Sequence, residues 1–558
     1  MTSLTPLNKT SVLPDVDSLS LPEQVAQLFV VRASGHLFDH QIRYPQWEAP
    51  AAKLLKWIEN LGVGGVIFVG GSAGDLYLRT QQLQAQAKIP LLMAADIEEG
   101  VGQRFEGATW FPPPMAIGAI AKTNINKARV YAEKMGKITA QEALAIGINW
   151  ILAPVVDVNN NPNNPVINVR AFGENSQTVS DLTAAFIQGA KKYAVLTTAK
   201  HFPGHGDTAV DSHLDLPVLP HSAGRLQEIE LPSFQRAIAQ GVDGVMSAHL
   251  LIPAWDAEKP ATLSHKILTG QLREKLGFTG LIVTDALVMG AIANRYGPNE
   301  APILALEAGA DILLMPVDPE GAIQAVCDAV KTGRISAARI RESVARIFTA
   351  KQKIFAASEK LSEFQPSSAI PAASPCLSQL SQPEARDTVE QILGDSTLVY
   401  GSVPLKIPPP QAGSYYRNLI LVDQAVKCDF LALHTPAVAW LQKFGYKTIV
   451  CDVDNAENFL TATRNLEIKD DREVPTLVQL FVRGNPFASN AGLTKISQEW
   501  IKKLLKKDLM QALAIYGSPY TLEQFLPQLP PDMPCIFSYG QLPEAQAIAL
   551  KLLFDLFD

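Results

Sequence analysis

Short apolar segments bounded by glycine, proline or polar residues recur along the first part of the chain. Uninterrupted apolar runs of this kind are typical of strands that are buried on both faces of a parallel sheet. We predict eight such strands, at residues 27–31, 64–70, 90–96, 148–157, 195–202, 243–250, 280–286 and 311–316.

Segments with helical periodicity lie between these strands. A further helical segment precedes the first strand, with Ser20 as a suitable N-cap and Pro22 in the first turn. Further helices are predicted at residues 51–61, 125–144, 180–194 and 267–276. The alternation of strand and helix predicts an α/β fold with a (β/α)8 TIM-type barrel over residues 1–356. In such a barrel the carboxyl ends of all strands share one mouth.

The pattern changes after the predicted barrel. Residues 357–387 are rich in Ser, Ala and Pro, and we interpret them as a linker. Strand and helix patterns then resume and predict a C-terminal α/β domain, a three-layer sandwich with an open sheet, over residues 388–558. This domain contains no GxGxxG or P-loop sequence, so nucleotide binding has no support there. The Lys-rich segment 500–513 is interpreted as a solvated helix face.

The composition is that of a globular protein. Of the 558 residues, 47% are hydrophobic and 18% charged, and the net charge of −7 argues against nucleic acid or an anionic membrane as the main partner. The five cysteines are scattered without CxxC spacing, which indicates neither a disulfide framework nor a zinc site. There is no signal-peptide pattern and no apolar run of about 18 residues, so we expect a cytoplasmic protein. Its charge favours small molecules or peptides as partners.

Residues 197–217 have an unusual density of reactive groups, with three histidines, a lysine and several acids. Pro203, Gly204 and Gly206 prevent regular structure there, so these groups lie on a loop that follows a strand. Within this loop Asp211 precedes His213 by two residues. A carboxylate at that spacing orients an imidazole and raises its proton affinity, which makes a proton-transfer dyad.

Polar residues also follow other predicted strands. Asp285 ends an otherwise apolar strand, where a carboxylate has to be solvated, paired or reactive. A carboxylate nucleophile facing a protonated acid can cleave a glycosidic bond with retention of configuration. The other strand-end residues are Asp96, Asp157, Lys200, His201 and His249.

Four stretches together resemble glycoside hydrolase family 3, and specifically its β-N-acetylglucosaminidase branch. They are AADIEEGVGQRFEGATWFPPPMAIGA, GINWILAPVVDVNNNPNNPVINVRAFGE, KHFPGHGDTAVDSH and GLIVTDALVMGAI, and the resemblance covers roughly residues 20–350. KHFPGHG followed by DSH is specific to this branch, whereas the TDA segment is shared by the whole family. The loop after Asp96 departs from the family pattern, with Glu99 in place of a usual glycine and Val101 in place of a usual arginine, so we expect a stiffer loop.

The resemblance implies a role for each matching residue. Asp285 would be the catalytic nucleophile, His213 the general acid/base and Asp211 its dyad partner. The residues that would bind the sugar are Asp96, Arg104, Arg170, Lys200 and His201. His249, from its position at a strand end, is a further candidate for substrate binding, either in the pocket wall or behind the residues that touch the sugar. His205 and Asp207 are expected to hold the loop in shape.

The implied activity is that of a retaining exo-β-N-acetylglucosaminidase that needs no cofactor or metal and takes terminal N-acetylglucosamine from muropeptide or cell-wall fragments. The alternatives within the same fold are a β-glucosidase or β-xylosidase and an N-acetylglucosaminide phosphorylase.

Three functions from other classes remain open. His201, His205, His213 and Asp285 could form a metal site in a barrel hydrolase. Lys200 could be the Schiff-base lysine of an aldolase. A non-enzymatic sugar sensor is the third alternative.

Overall fold

The computed structural model describes residues 13–209, 215–362, 377–408, 410–411, 413–422, 428, 430–452, 474–483 and 491–556. The chain divides into two compact units. The first comprises Met1–Phe111, Asn124–Ile167 and Ala171–Arg386, and the second comprises Pro112–Thr123, Asn168–Arg170 and Asp387–Asp558. None of the helices in the described ranges is both long and apolar enough to cross a membrane.

The first unit is a parallel barrel. Its strands are β1 (Phe29–Ala33), β2 (Gly65–Phe68), β3 (Gly71–Ser72), β4 (Leu92–Ala95), β5 (Phe105–Glu106), β6 (Trp150–Ile151), β7 (Leu196–Phe202), β8 (Gly244–Ser247), β9 (Leu281–Val283) and β10 (Leu313–Leu314). Eight of them pair in the order β10-β1-β2-β4-β6-β7-β8-β9, while β3 and β5 pair with each other. A parallel bridge between Val283 and Ile312 links the two ends of this order. The barrel and all eight predicted strands are therefore confirmed.

Helices follow most of the strands. In chain order they are α1 (Leu21–Ala26), α2 (Ala51–Lys56), α3 (Ala73–Gln86), α4 (Pro114–Ala121), α5 (Ile125–Ala145), α6 (Ser176–Ala190), α7 (Ala223–Glu228), α8 (Leu231–Ala239), α9 (Gly290–Tyr296), α10 (Glu300–Ala308), α11 (Pro319–Lys331), α12 (Ala337–Ser362) and α13 (Pro383–Ser396). Two predicted helices are partly or wholly π-helical, over Trp57–Leu61 and Lys266–Lys275. Ser20 is the N-cap of α1, as predicted, and its backbone and hydroxyl groups both donate to Glu23.

The predicted linker at residues 357–387 overlaps the end of α12 and the start of α13. Its central part, residues 363–376, lies outside the described residues.

The second unit contains a six-stranded sheet. Its strands are β11 (Leu398–Tyr400), β12 (Tyr416–Val422), β13 (Tyr446–Asp452), β14 (Thr476–Val482), β15 (Met510–Gly517) and β16 (Cys535–Ser538). Its further helices are α14 (Pro436–Lys443), α15 (Ala491–Lys506), α16 (Pro519–Phe525) and α17 (Pro543–Phe554). The strand order is β11-β16-β15-β14-β12-β13, and only the β11-β16 pair is antiparallel. The parallel part has the 2-1-3-4-5 order of a doubly wound sheet, which confirms the predicted α/β domain.

Candidate active site

The carboxyl end of β7 delivers two polar side chains to the mouth of the barrel. All seven residues of β7 are buried, and its register with β8 shifts between Lys200 and Phe202. Lys200 is 1% exposed. Its Nζ lies 2.6 Å from Asp96 Oδ1 and 2.6 Å from Glu98 Oε1. A buried ammonium is tolerated here because two carboxylates from the loop after β4 compensate its charge.

The neighbouring His201 is held by Asp157, which follows β6. The Nδ1–H of His201 donates to Asp157 Oδ2 over 2.8 Å, since a carboxylate can only accept. The backbone N–H groups of His201 and His205 donate to the same carboxylate. Asp157 thus fixes the orientation of the His201 ring and the path of the loop that follows.

Close packing holds the loop that begins at Pro203. A side chain on Gly206 is excluded, because its Cβ would lie 1.8 Å from the Val158 carbonyl oxygen. Asn164 Nδ2 donates to the carbonyl oxygens of His205 and Gly206 over 2.7 and 3.0 Å. Asp207 accepts from His221 Nε2 at 2.8 Å and from Arg225 at 3.2 Å. These contacts give Asp207 the structural role that the sequence predicts.

Asp285 lies two residues beyond the end of β9. Its Oδ1 accepts a hydrogen bond of 2.7 Å from the Ala286 N–H. The carbonyl of Ala286 accepts in turn from His249 Nε2 over 3.1 Å, and His249 Nδ1 lies 2.8 Å from Thr262 Oγ1. Both ring nitrogens of the fully buried His249 therefore have protein partners. This geometry supports a positioning role for His249 next to the segment that carries Asp285, and its contact with a sugar stays a prediction.

The buried His205 interacts electrostatically with His201, Asp157 and Asp285. Burial and, to a lesser extent, the neighbouring His201 lower its pKa to about 4, although the Asp157 and Asp285 carboxylates act in the opposite direction. The rings of His201 and His205 have centroids 6.1 Å apart. His205 is therefore neutral at pH 7, and its charge is coupled to the carboxylates that follow β6 and β9.

The remaining predicted residues are distributed as follows. Arg104 is exposed, and its Nε donates to the carbonyl oxygen of Asp96 over 3.1 Å. Arg170 ends a short 3-10 helix, Asn168–Arg170, that belongs to the second unit. Asp211 and His213 lie outside the described residues, so their proposed dyad stays a prediction.

Sequence reasoning missed Glu98 and Asn164. The acidic doublet Glu98-Glu99 directly after a strand-end aspartate was the available signal for Glu98. Glu99, the residue after Glu98, has a different partner: the Oε2 atom of Glu99 accepts a hydrogen bond of 3.0 Å from the indole N–H of Trp110. Asn164 carries no such signal, since it caps backbone carbonyls that only the folded loop brings together.

The geometry bears on two of the alternative functions, the aldolase with a Schiff-base lysine and the metal-dependent hydrolase. Two carboxylates at 2.6 Å favour the charged form of Lys200, which is not nucleophilic, so a Schiff-base role is disfavoured. The Nδ1 atoms of His201 and His205 are occupied by Asp157 and Thr208. Within the ranges that the structure describes, no three His, Cys, Asp or Glu residues are grouped to hold a metal ion.

Comparison with known families agrees with this arrangement. The model of the glycosyl hydrolase family 3 N terminal domain matches residues 20–350. The chain belongs to glycosyl hydrolase family 3. The model of the bacterial glycosyl hydrolase family 3 C-terminal domain also matches, over residues 410–555. The resemblance inferred from the four sequence stretches is therefore confirmed.

Individual family 3 proteins are similar to parts of this chain. Beta-hexosaminidase A of Pseudoalteromonas piscicida is 38% identical over 292 residues, 48% of this chain and 48% of the relative. Beta-N-acetylglucosaminidase/beta-glucosidase of Cellulomonas fimi is 31% identical over 297 residues, 51% of this chain and 52% of the relative. The chain thus spans about half the length of these two curated relatives.

A solved structure matches both units. The family 3 beta-N-acetylglucosaminidase from Paenibacillus sp. str. FPU-7 superposes with a TM-score of 0.77 at 29% identity. The match covers 96% of this chain and 97% of that one.

Proposed function

We propose that this protein is a retaining exo-β-N-acetylglucosaminidase that hydrolyses terminal β-linked N-acetylglucosamine. The observation that supports the proposal best is the cluster at the carboxyl ends of the barrel strands. In this cluster Asp96 contacts Lys200 beside His201, and the Asp285 carboxylate follows β9 at the same end of the barrel. The similarity to proteins named for β-hexosaminidase and β-N-acetylglucosaminidase activity supports the choice of sugar.

In the first chemical step the Asp285 carboxylate attacks the anomeric carbon from the α face, and the bond to the leaving oxygen breaks. His213, oriented by Asp211, donates its proton to that oxygen. In the second step His213 takes a proton from water, whose oxygen attacks the anomeric carbon and displaces Asp285. The product keeps the β configuration because two inversions occur.

The structure supports specific tasks for the groups around this reaction. Ala286 N–H and the His249 contact hold the segment that carries Asp285. The ammonium of Lys200 and the carboxylate of Asp96 offer a donor and an acceptor for ring hydroxyls, and His201 is fixed beside them. An uncharged N-acetyl group requires hydrogen-bonding partners of this kind rather than an opposite charge.

A comparison of 4-nitrophenyl β-N-acetylglucosaminide with the corresponding glucoside and xyloside tests the proposal. We expect the highest kcat/KM on the N-acetylglucosaminide, with rates that do not change when phosphate is added. Preference for the glucoside or xyloside would identify the other activities of the fold, and a rate that depends on phosphate, with a sugar phosphate as product, would identify a phosphorylase.

We also propose that the natural substrates are muropeptide or cell-wall fragments and that the protein acts in the cytoplasm. Release of N-acetylglucosamine from purified muropeptides at rates above those on chitobiose is the expected result. Preference for chitobiose would contradict the cell-wall assignment without affecting the proposed chemistry.

A further inference from the structure

Two carboxylates share the ammonium of Lys200, but their surroundings differ. The side chain of Asp96 keeps 34% of its surface exposed, whereas that of Glu98 keeps 4%. Each approaches Nζ to 2.6 Å. One carboxylate can therefore meet a ligand in the mouth of the barrel, while the other is confined to the protein interior.

The loop after β4 sends its two adjacent glutamates to different partners. Glu98 reaches Lys200, and Glu99 reaches the indole of Trp110. The loop is fixed by hydrogen bonds from Phe111 N–H to the Glu99 carbonyl, at 2.7 Å, and from Gly102 N–H to the Thr109 carbonyl, at 2.8 Å. A Cβ on Gly100 would lie 2.6 Å from the same Thr109 oxygen, so the loop has little room to move. Glu98 is thus presented to Lys200 by a closely packed loop.

The charges of Asp96, Glu98 and Lys200 explain why the lysine has two carboxylate partners. Two carboxylates and one ammonium leave the group with a net charge of about −1, and a single carboxylate would already neutralise Lys200. If Asp96 were its only partner, the two would form a closed pair, and each hydrogen bond that Asp96 accepted from a sugar hydroxyl would compete with that pair. A second, buried carboxylate holds the ammonium in place independently of Asp96.

We propose that Glu98 is a positioning residue that anchors the Lys200 ammonium and so leaves Asp96 available to bind sugar hydroxyls. The inference rests on the proposed glycosidase function. Glu98 acts through Lys200 and Asp96 and does not itself touch the substrate. Its buried negative charge also keeps Lys200 protonated, which preserves the lysine as a hydrogen-bond donor.

The test compares Glu98→Gln with Glu99→Gln in the full chain. Both substitutions remove one buried carboxylate and keep an amide oxygen as acceptor, but only the first removes the charge beside Lys200. With 4-nitrophenyl β-N-acetylglucosaminide we expect Glu98→Gln to lower kcat/KM by about 10- to 100-fold, the usual range for loss of a charged hydrogen bond, mainly through KM. Glu99→Gln should stay within about threefold of the wild type.

A second measurement separates positioning from a general structural defect. Glycosides that lack one ring hydroxyl, at C3, C4 or C6, are assayed with both variants. Positioning predicts that the loss caused by Glu98→Gln shrinks severalfold on the analogue that lacks the hydroxyl bound by Asp96 or Lys200. Equal losses on the parent glycoside and every analogue, or equal effects of the two substitutions, would overturn the inference.

Two further measurements cover the cases in which Glu98→Gln does not fold or the proposed function is wrong. Glu98→Asp retains the charge but shortens the side chain, and if Glu98→Gln fails to fold, the same comparison is made with this variant. A wild-type enzyme that is inactive on the N-acetylglucosaminide but active on the glucoside refutes the proposed function. The ratio between the Glu98 and Glu99 variants is then measured on the glucoside, where it still decides the role of Glu98.

Discussion

Two lysines are buried in the same barrel, and their surroundings are opposite. Lys200 lies at the carboxyl end of β7, is 1% exposed and contacts two carboxylates. Lys351 lies on α12, is 0% exposed and donates to the side-chain oxygen of Gln27 over 2.8 Å. Because Gln27 precedes β1, this second lysine is at the amino end of the barrel. Burial lowers its pKa to about 7.

The comparison shows how the same side chain is used for two purposes. At the carboxyl end, two carboxylates compensate the ammonium and favour its charged form. At the amino end an amide oxygen compensates it only weakly, and the lysine loses its proton near neutral pH. A barrel of this class keeps its chemistry at the carboxyl ends of the strands, and the distribution of counter-charges follows that division.

The strongest test of this contrast is Lys200→Met, with Lys351→Met as the matched control. The first substitution leaves two carboxylates at the mouth without their cation, and we expect kcat/KM on the N-acetylglucosaminide to fall by about 10³-fold or more. The control should retain kcat/KM within about threefold. Steady-state kinetics at pH 7 measures both, and thermal unfolding verifies that both variants are folded. Similar kinetic losses in the two variants would remove the distinction between the two ends.

Although Lys351→Met should leave the kinetics nearly unchanged, it should increase the stability of the fold. The folded pKa of about 7 lies below the unfolded value of 10.5, so between these values only the unfolded chain keeps the proton. Wild-type stability should therefore rise by about 1.5 kcal/mol from pH 7 to pH 8.5. The variant should lack this rise and be about 2 kcal/mol more stable at pH 7. Unfolding midpoints in denaturant at several pH values measure both effects, and an unchanged pH dependence would contradict a neutral buried lysine.

A smaller effect is expected from His205, a buried histidine in the loop after β7. Its folded pKa of about 4 lies below the unfolded value of 6.5, so the unfolded chain takes up a proton first as the pH falls. Stability should decrease by about 1 kcal/mol from pH 6.5 to pH 5.5, and His205→Asn should lack this contribution. Parallel pH series of thermal unfolding compare the two proteins. A decrease of the same size in the variant would assign the effect to other groups.

The barrel could be predicted from sequence because its strands are continuous apolar runs that end in polar residues. The same pattern identified Lys200, His201, Asp96 and Asp285, since each follows such a run. Glu98 was missed because its role depends on the turn after Asp96, which places one of two adjacent glutamates against a lysine distant in sequence.

The partners of His249 also depended on tertiary structure. The sequence showed only a histidine at a strand end, and the carbonyl of Ala286 that occupies its Nε2 comes from a different strand end. The short strands β3 and β5, two residues each, were likewise too short to give a periodic signal.

We propose that Asp285 attacks the anomeric carbon and forms a covalent intermediate. Asp285→Ala, assayed with an activated aryl N-acetylglucosaminide and sodium azide, tests it most directly. We expect the variant to be nearly inactive alone, and we expect azide, which occupies the space of the lost carboxylate on the α face, to restore turnover and yield the α-glycosyl azide. A variant that keeps wild-type activity, or one that azide restores with a β-glycosyl azide as product, would contradict Asp285 as the nucleophile.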